Sequence, residues 1–155
     1  MRQFVDLDGR SWDVALDGFS LGELRDKGVD IVQDGLFYIE QREDVLLKAL
    51  AILCREQITK HQLSDRAFAR GIAGVAIEQA FEAVRGAAED FFPPKRWSEI
   101  QSRSEKRKDA DQTFQDFAPM LELLNRPQMP PAMRQAVLDA VASKLEEGTS
   151  SASSP

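Results

Sequence analysis

The chain has 155 residues, 43% of them hydrophobic, which suits one domain with its own core, or one domain with an appendage. Its formal net charge of −6 argues against a nucleic-acid binder, because such proteins usually carry a basic footprint. The single cysteine, Cys54, excludes an intrachain disulfide, and the lack of a signal-like or membrane-length apolar run predicts a soluble cytoplasmic protein.

A β-hairpin is predicted for residues 3–16, because Asp8-Gly9 is a favoured two-residue turn between two alternating segments. A two-residue loop places Val5 opposite Trp12. The register then puts four apolar side chains on one face, namely Val5, Leu7, Trp12 and Val14. An isolated hairpin is marginal in water, so we expect Trp12 to pack on a helical body, or the strand edge to pair with another chain.

A short helix is predicted next, with Ser20 as N-cap, Glu23 completing a capping box, and Phe19 packed on Leu24 as a hydrophobic staple. Gly28 is expected to end it. Residues 29–42 contain short apolar runs that fit a second hairpin, irregular structure or short helices equally well.

The longest apolar stretch, residues 43–92, predicts three helices that form the centre of the fold. The first covers residues 43–58 and has a wide apolar face. Ser64 caps the second, and Gly71 and Gly74 predict a break before a third helix at residues 75–92. The inward face predicted for the third helix is Val75, either Gln79 or Ala80, Ala83, Val84, Ala87 and Phe91.

The chain after Pro93-Pro94 divides into a basic segment, an amphipathic segment, a proline linker, a helix and a tail. Residues 95–108 carry six basic side chains against two acids and predict a solvated helix that leaves the body. Such a helix face is usually only solvated, but it could also bind an acidic protein or nucleic acid. The predicted organisation is residues 1–93, then 94–126, then the linker and last helix at 127–147, and a disordered tail at 148–155.

The side chains that could support catalysis or metal binding lack partners in the sequence. Cys54 and His61 are the only thiol and the only imidazole, too few for a metal cage. The acidic cluster around the hairpin does not have the spacing of a calcium loop. No phosphate-binding or dinucleotide-binding motif is present. We therefore predict no catalytic, cofactor-binding or metal site, and no enzyme.

The expected fold class is mainly α with a small N-terminal β-hairpin, a compact helical body and extended C-terminal helices. Function is then expected to depend on contacts with other proteins. The candidate partner-binding residues are Trp12, Lys95, Arg96, Trp97, Arg103, Lys106, Arg107, Met133, Val137 and Val141.

Five stretches follow one another in a familiar order: FVDLDGRSWDVAL, RDKGVDIV, DVLLKALAILC, SDRAFARGIAG and EDFFPPKR. In this order they resemble small proteins encoded among the tail genes of long-tailed phages and prophages, the tail assembly chaperones. The resemblance covers roughly residues 4–96. Two positions depart from it: Lys27-Gly28-Val29 replaces a threonine-containing turn, and Phe68-Ala69 replaces Phe-Gly.

The resemblance implies a non-enzymatic protein that keeps the tape-measure protein soluble and recruits tail-tube subunits. Its partners would be those two proteins, and it would act in the host cytoplasm without a cofactor and without binding a membrane. The resemblance leaves open whether the chain forms a homo-oligomer. Two alternatives remain. One is a structural tail or connector component whose hairpin joins a neighbour's sheet. The other is a small regulator that contacts nucleic acid through residues 95–108.

Overall fold

The computed structural model describes the backbone of residues 2–150 and the side chains of residues 2–144. This part of the chain forms one antiparallel hairpin, β1 (Arg2–Val5) and β2 (Ser11–Val14), followed by helices. The helices are α1 (Gly18–Asp26), α2 (Ile31–Asp34), α3 (Phe37–Gln41), α4 (Glu43–Leu53), α5 (Arg55–Lys60), α6 (Asp65–Gly71), α7 (Val75–Phe91), α8 (Pro94–Leu124) and α9 (Pro131–Ser150). The predicted class, mainly α with a small N-terminal hairpin, is confirmed.

The chain divides into two compact units, Met1–Lys108 and Asp109–Pro155. Unit 1 contains the hairpin, helices α1 to α7 and the first half of α8. Unit 2 contains the second half of α8 and α9. Unit 1 therefore extends beyond residue 93, where the sequence predicted the end of the body.

The hairpin loop is one residue longer than the Asp8-Gly9 turn predicts. The Asp6 amide donates to the Arg10 carbonyl at 3.0 Å, so Asp6 and Arg10 face each other across a three-residue loop. Gly9 closes the loop with a φ of +79°, the left-handed conformation that three-residue hairpin loops require. The loop therefore pairs β1 with β2 one residue out of the predicted register.

This shift reverses the faces of β1, because side chains alternate along a strand. Phe4, not Val5, lies opposite Trp12. Phe4, Trp12 and Val14 are buried, whereas Val5 is 46% and Leu7 62% exposed. The prediction that Val5 and Leu7 face the core is wrong; the prediction for Trp12 and Val14 is confirmed.

Helix α1 begins about one turn earlier than predicted, with Asp17 instead of Ser20 as its N-cap. Asp17 is the N-cap, and its carboxylate accepts from the Ser20 amide at 2.7 Å while the Ser20 hydroxyl accepts from the Asp17 amide. Phe19 is exposed, so the predicted staple is absent from this helix end. Gly28 follows the helix end at a φ of +81°, and residues 29–42 form the short helices α2 and α3.

The central helices follow the prediction closely. The first predicted helix is interrupted only at Cys54, where α4 ends and α5 begins. The Ser64 hydroxyl caps α6 by accepting from the Ala67 amide at 3.2 Å. The break expected near residues 71–74 separates α6 from α7. The core of unit 1 is built around α4 and α7.

Helix α7 faces the core through small side chains. Ala80, Ala83, Val84 and Ala87 are buried, as predicted. Val75 and Phe91 are exposed, so their predicted inward orientation is wrong. They are the first and last residues of the helix, where its apolar stripe has run past the core. Phe92 is buried in place of Phe91.

The first half of α8 is part of the core of unit 1. Trp97 and Ile100 belong to the hydrophobic cluster, and Ser104 is buried. The prediction that residues 95–108 leave the body as a solvated helix is therefore wrong. Trp97, Ile100 and Ser104 lie at helical spacing within a mostly charged sequence, and this buried stripe of two apolar side chains and one small polar one attaches the helix.

The C-terminal predictions lie partly outside the described residues. Helix α9 begins at Pro131, close to the predicted start, and continues to Ser150, into the predicted tail. The rest of that tail, residues 151–155, lies outside the described residues. Among residues 2–150, no helix combines the length and the apolar character that crossing a bilayer demands.

Candidate functional site

Trp12, a candidate partner-binding residue, is fully buried in unit 1. Its indole N–H donates to the Asp6 carboxylate at 3.0 Å. Its ring makes edge contacts with Phe68 and His61, at centroid distances of 4.7 and 5.4 Å. Trp12 therefore attaches the hairpin to the helical body and offers no surface to a partner in this fold.

The carboxylate of Asp6 organises the hairpin loop. Besides the Trp12 indole, it accepts from the backbone amides of Asp8 at 2.9 Å and Arg10 at 2.8 Å. Burial alone would raise the pKa of Asp6, but these hydrogen bonds and the Arg10 charge outweigh it, so the pKa lies below its ordinary value. The sequence signal that could have revealed this role is an aspartate two residues before Asp8-Gly9, because aspartate accepts from nearby turn amides.

The two edges of the hairpin differ. At the outer edge of β2, the Gln57 side-chain amide accepts from the Asp13 amide at 2.9 Å and donates to the Asp13 carbonyl at 2.7 Å. Gln57 thus occupies the place of a third strand. On β1 the alternation of hydrogen bonds points the backbone groups of Gln3 and Val5 outward, and these have no hydrogen-bond partner among the described residues. No strand among the described residues pairs with this edge of β1, and α7 packs closely along β1.

Cys54 and His61 do not form a reactive pair. The Cys54 thiol is buried, and burial, helped by the Asp13 charge, raises its pKa to about 12. A thiol with such a pKa stays protonated at neutral pH, so it is neither a nucleophile nor a metal ligand there. His61 is exposed in the turn after α5, and its ring makes an edge contact with the Trp12 ring. In the described part of the chain, no group of three or more potential metal ligands comes together.

The basic segment is largely used within unit 1. Three of its side chains reach the short helices: Arg103 donates to the Val32 carbonyl, Arg107 pairs with Asp34 at 2.6 Å, and Lys108 pairs with Glu40 at 2.5 Å. Arg96 pairs with Glu99 at 3.0 Å. Lys95 and Lys106 have neither an ion-pair nor a side-chain hydrogen-bond partner among the described residues, and Arg103 has its hydrogen bond but no ion pair. Little of the local positive charge is free for phosphates, and Trp97 is buried.

The candidate residues of unit 2 are apolar and at least partly accessible. Met133 is 58% exposed, and Val137 and Val141 are half-buried. Four large apolar residues not predicted as candidates are also exposed in unit 2: Phe114 at 64%, Leu138 at 45%, Leu121 at 41% and Leu123 at 38%. In the sequence, Phe114 and the later apolar residues of α8 recur at helical spacing, which indicates an amphipathic helix. That spacing does not show which of these side chains face outward.

No protein-family model, no curated protein and no solved structure matches this chain. A functional interpretation therefore depends on two things. One is the order of the sequence motifs. The other is the set of surfaces that the two units present.

Proposed function

We propose that this chain acts without catalysis, as a phage tail assembly chaperone that binds tape-measure and tail-tube proteins. The motif order along residues 4–96 suggests the family, and the surfaces of the fold support a role based on protein contacts. The observation that carries the proposal is the apolar surface of unit 2. A chaperone of this kind needs accessible apolar side chains beside a body that is stable without them.

Unit 2 exposes five large hydrophobic side chains within its described residues 109–144, whereas unit 1 exposes six within residues 2–108, so they are denser along the chain in unit 2. The large hydrophobic residues exposed there are Phe114, Leu121, Leu123, Met133 and Leu138. Contiguous exposed apolar surface generally marks an interaction site, since a monomer gains nothing from displaying it. Phe114 and Leu121 are seven residues apart and share one face of α8, the spacing with which a helix contacts another helix.

The charge of unit 2 suits the solubilising part of this role. Residues 109–155 contain seven acidic and three basic side chains, a net charge of −4. A client held on the apolar face would therefore be surrounded by acidic side chains, which keep a complex hydrated and discourage self-association. Unit 1 has its own hydrophobic core, formed without residues of unit 2.

The double substitution Phe114→Ser with Met133→Ser tests the proposal. Removing two large apolar contacts, each contributing about 1.5–3 kcal/mol when fully buried, should weaken client binding by about a hundredfold. The measurement is co-expression with a tape-measure protein encoded beside this chain, followed by size-exclusion chromatography. The wild type should carry the client into a soluble complex, and the variant should leave it in the pellet.

The matched control is Phe19→Ser with Val75→Ser, which replaces two equally exposed apolar side chains of unit 1. This control should retain the soluble complex. The proposal fails if the client is just as soluble without this chain and elutes separately from it. It also fails if the control and the unit 2 variant release the client equally.

One observation favours a second function, a structural tail or connector component. The β1 edge at Gln3 and Val5 has no paired strand among the described residues and could accept one from a neighbouring subunit, while Gln57 blocks the β2 edge. The two functions differ in where the chain ends up. A structural component remains in purified virions, whereas a chaperone is absent from them.

A further inference from the structure

Unit 1 has an apolar groove that the proposed function does not use. It is formed by two adjoining cavities of about 350 and 420 Å³, which share Glu40, Phe81 and Glu82. The walls come from α3, α4, α7 and the first half of α8. We call this feature the Phe81 groove.

The floor of the Phe81 groove is apolar. Ile77 and Phe81 lie four residues apart on α7, so their side chains are neighbours, and both are only partly buried against the core. Leu36, Ile39 and Trp97 continue the floor on either side of them. Partly covered apolar side chains at the bottom of a groove gain free energy when another apolar side chain covers them.

The rim of the groove is acidic. Five glutamates line the two cavities, against Arg85 and Lys108, an excess of three negative charges. Both basic side chains are already paired within the rim, Arg85 with Glu82 and Lys108 with Glu40. The other three glutamates, Glu43, Glu78 and Glu105, have no ion-pair or hydrogen-bond partner among the described residues.

We infer that the Phe81 groove binds a cationic amphipathic helix of a partner protein. Apolar side chains of that helix would cover Ile77 and Phe81, and its lysines or arginines would face Glu43, Glu78 and Glu105. The floor selects for an apolar stripe and the rim for positive charge, so an acidic or purely polar helix does not fit. The inference depends on the protein-binding role proposed above, but it uses other residues than that role does.

The probe is a peptide of about 18 residues made of leucine and lysine, with leucines at helical spacing so that it folds as an amphipathic helix. A second peptide has glutamate at every lysine position. Each is titrated into the full chain, with calorimetry and tryptophan emission as readouts, because Trp97 lines the groove. The lysine peptide should bind with a Kd of about 100 µM or tighter, and the glutamate peptide should not bind measurably.

Charge reversal identifies the site. The triple variant Glu43→Lys, Glu78→Lys and Glu105→Lys should weaken binding of the lysine peptide at least about tenfold and allow the glutamate peptide to bind. Its control is Asp26→Lys, Glu56→Lys and Glu122→Lys, which changes the net charge equally at exposed positions outside the groove. The control should leave the Kd within about twofold. Thermal melts of both variants show whether the fold is kept.

Two results would overturn the inference. One is a lysine peptide that does not bind the wild type. The other is equal weakening by the groove variant and the control, which would indicate attraction to the net charge alone. Failure here is distinct from failure of the proposed function, because Phe114→Ser with Met133→Ser leaves the groove intact. If that double variant loses the client and the groove variant keeps it, the chaperone role stands without the groove.

Discussion

Replacing Gly35 with alanine is expected to destabilise unit 1 by about 3 kcal/mol, although both residues are small and apolar. Gly35 has a φ of +66° and a ψ of −151°, a region that essentially only glycine occupies. A Cβ atom there would lie 2.8 Å from the Ile100 carbonyl oxygen and 2.9 Å from the Ser104 amide nitrogen. These are backbone atoms of α8, so rotating a side chain cannot relieve the clash.

Gly28→Ala separates the two causes of this loss. Gly28 also has a positive φ, of +81°, but an added Cβ meets nothing within 4 Å. Its substitution should cost only the conformational part, about 1 kcal/mol. Urea denaturation of both variants measures the difference. Equal losses would mean that α8 does not press against Gly35, which contradicts the placement of α8 on the body.

The sequence predicted the central helices well because the signals there are local. The Ser64 cap and the glycines around residues 71–74 act through the backbone of their own segment. The alanine stripe of α7 is read directly from helical spacing. These features do not depend on which element packs against them, so the tertiary structure leaves the predicted helices in place.

Other predictions failed where a distant contact decides. The hairpin itself was predicted, but in its longer loop the Leu7 amide donates to the Gly71 carbonyl of α6 at 2.9 Å, a contact between segments far apart in the chain. The basic half of α8 was expected to be solvated because charged residues outnumber apolar ones. Trp97 and Ile100 nevertheless anchor it, and Arg107 gains a carboxylate partner on α2. Neither the hairpin register nor the packing of α8 follows from composition, because each depends on residues that are distant in the chain and adjacent in the fold.

The candidate site was predictable only in part. Met133 and the C-terminal stripe were recognised from helical spacing, and the structure leaves Met133 exposed. Trp12 and Trp97 are also among the predicted candidates, but both are buried in the core. The Phe81 groove could not be predicted, because α3, α7 and α8 come together only in the folded chain.

Replacing Asp6 with asparagine is expected to destabilise the protein by about 3 kcal/mol. The asparagine oxygen can still accept from the loop amides, but the carboxylate oxygen that faces the Trp12 indole becomes an N–H₂ group. Two donors then face each other in a buried place, and the Arg10 ion pair is also lost. Urea denaturation at neutral pH measures the change.

Asp8→Asn is the matched control for this substitution. Asp8 lies in the same loop and pairs with Arg10 at 2.5 Å, but its side chain is largely exposed. Asn-Gly also suits a tight loop, and exposed ion pairs contribute little, so the control should change stability by less than about 0.5 kcal/mol. Comparable losses in the two variants would show that the loop needs carboxylates in general and not the buried one.

The wild type and the Asp6→Asn variant should also differ in how their stability depends on pH. The folded pKa of Asp6 lies below its ordinary value, so its ionised form stabilises the fold at pH values above the unfolded pKa of about 3.9. This contribution is lost as the pH falls through the lower, folded pKa. The stability difference between wild type and Asp6→Asn should therefore be constant from neutral pH to about pH 5 and shrink in more acid solution. Because other aspartates titrate in both proteins, the difference isolates Asp6, and a gap that stays constant down to pH 3 would show that its charge does not stabilise the loop.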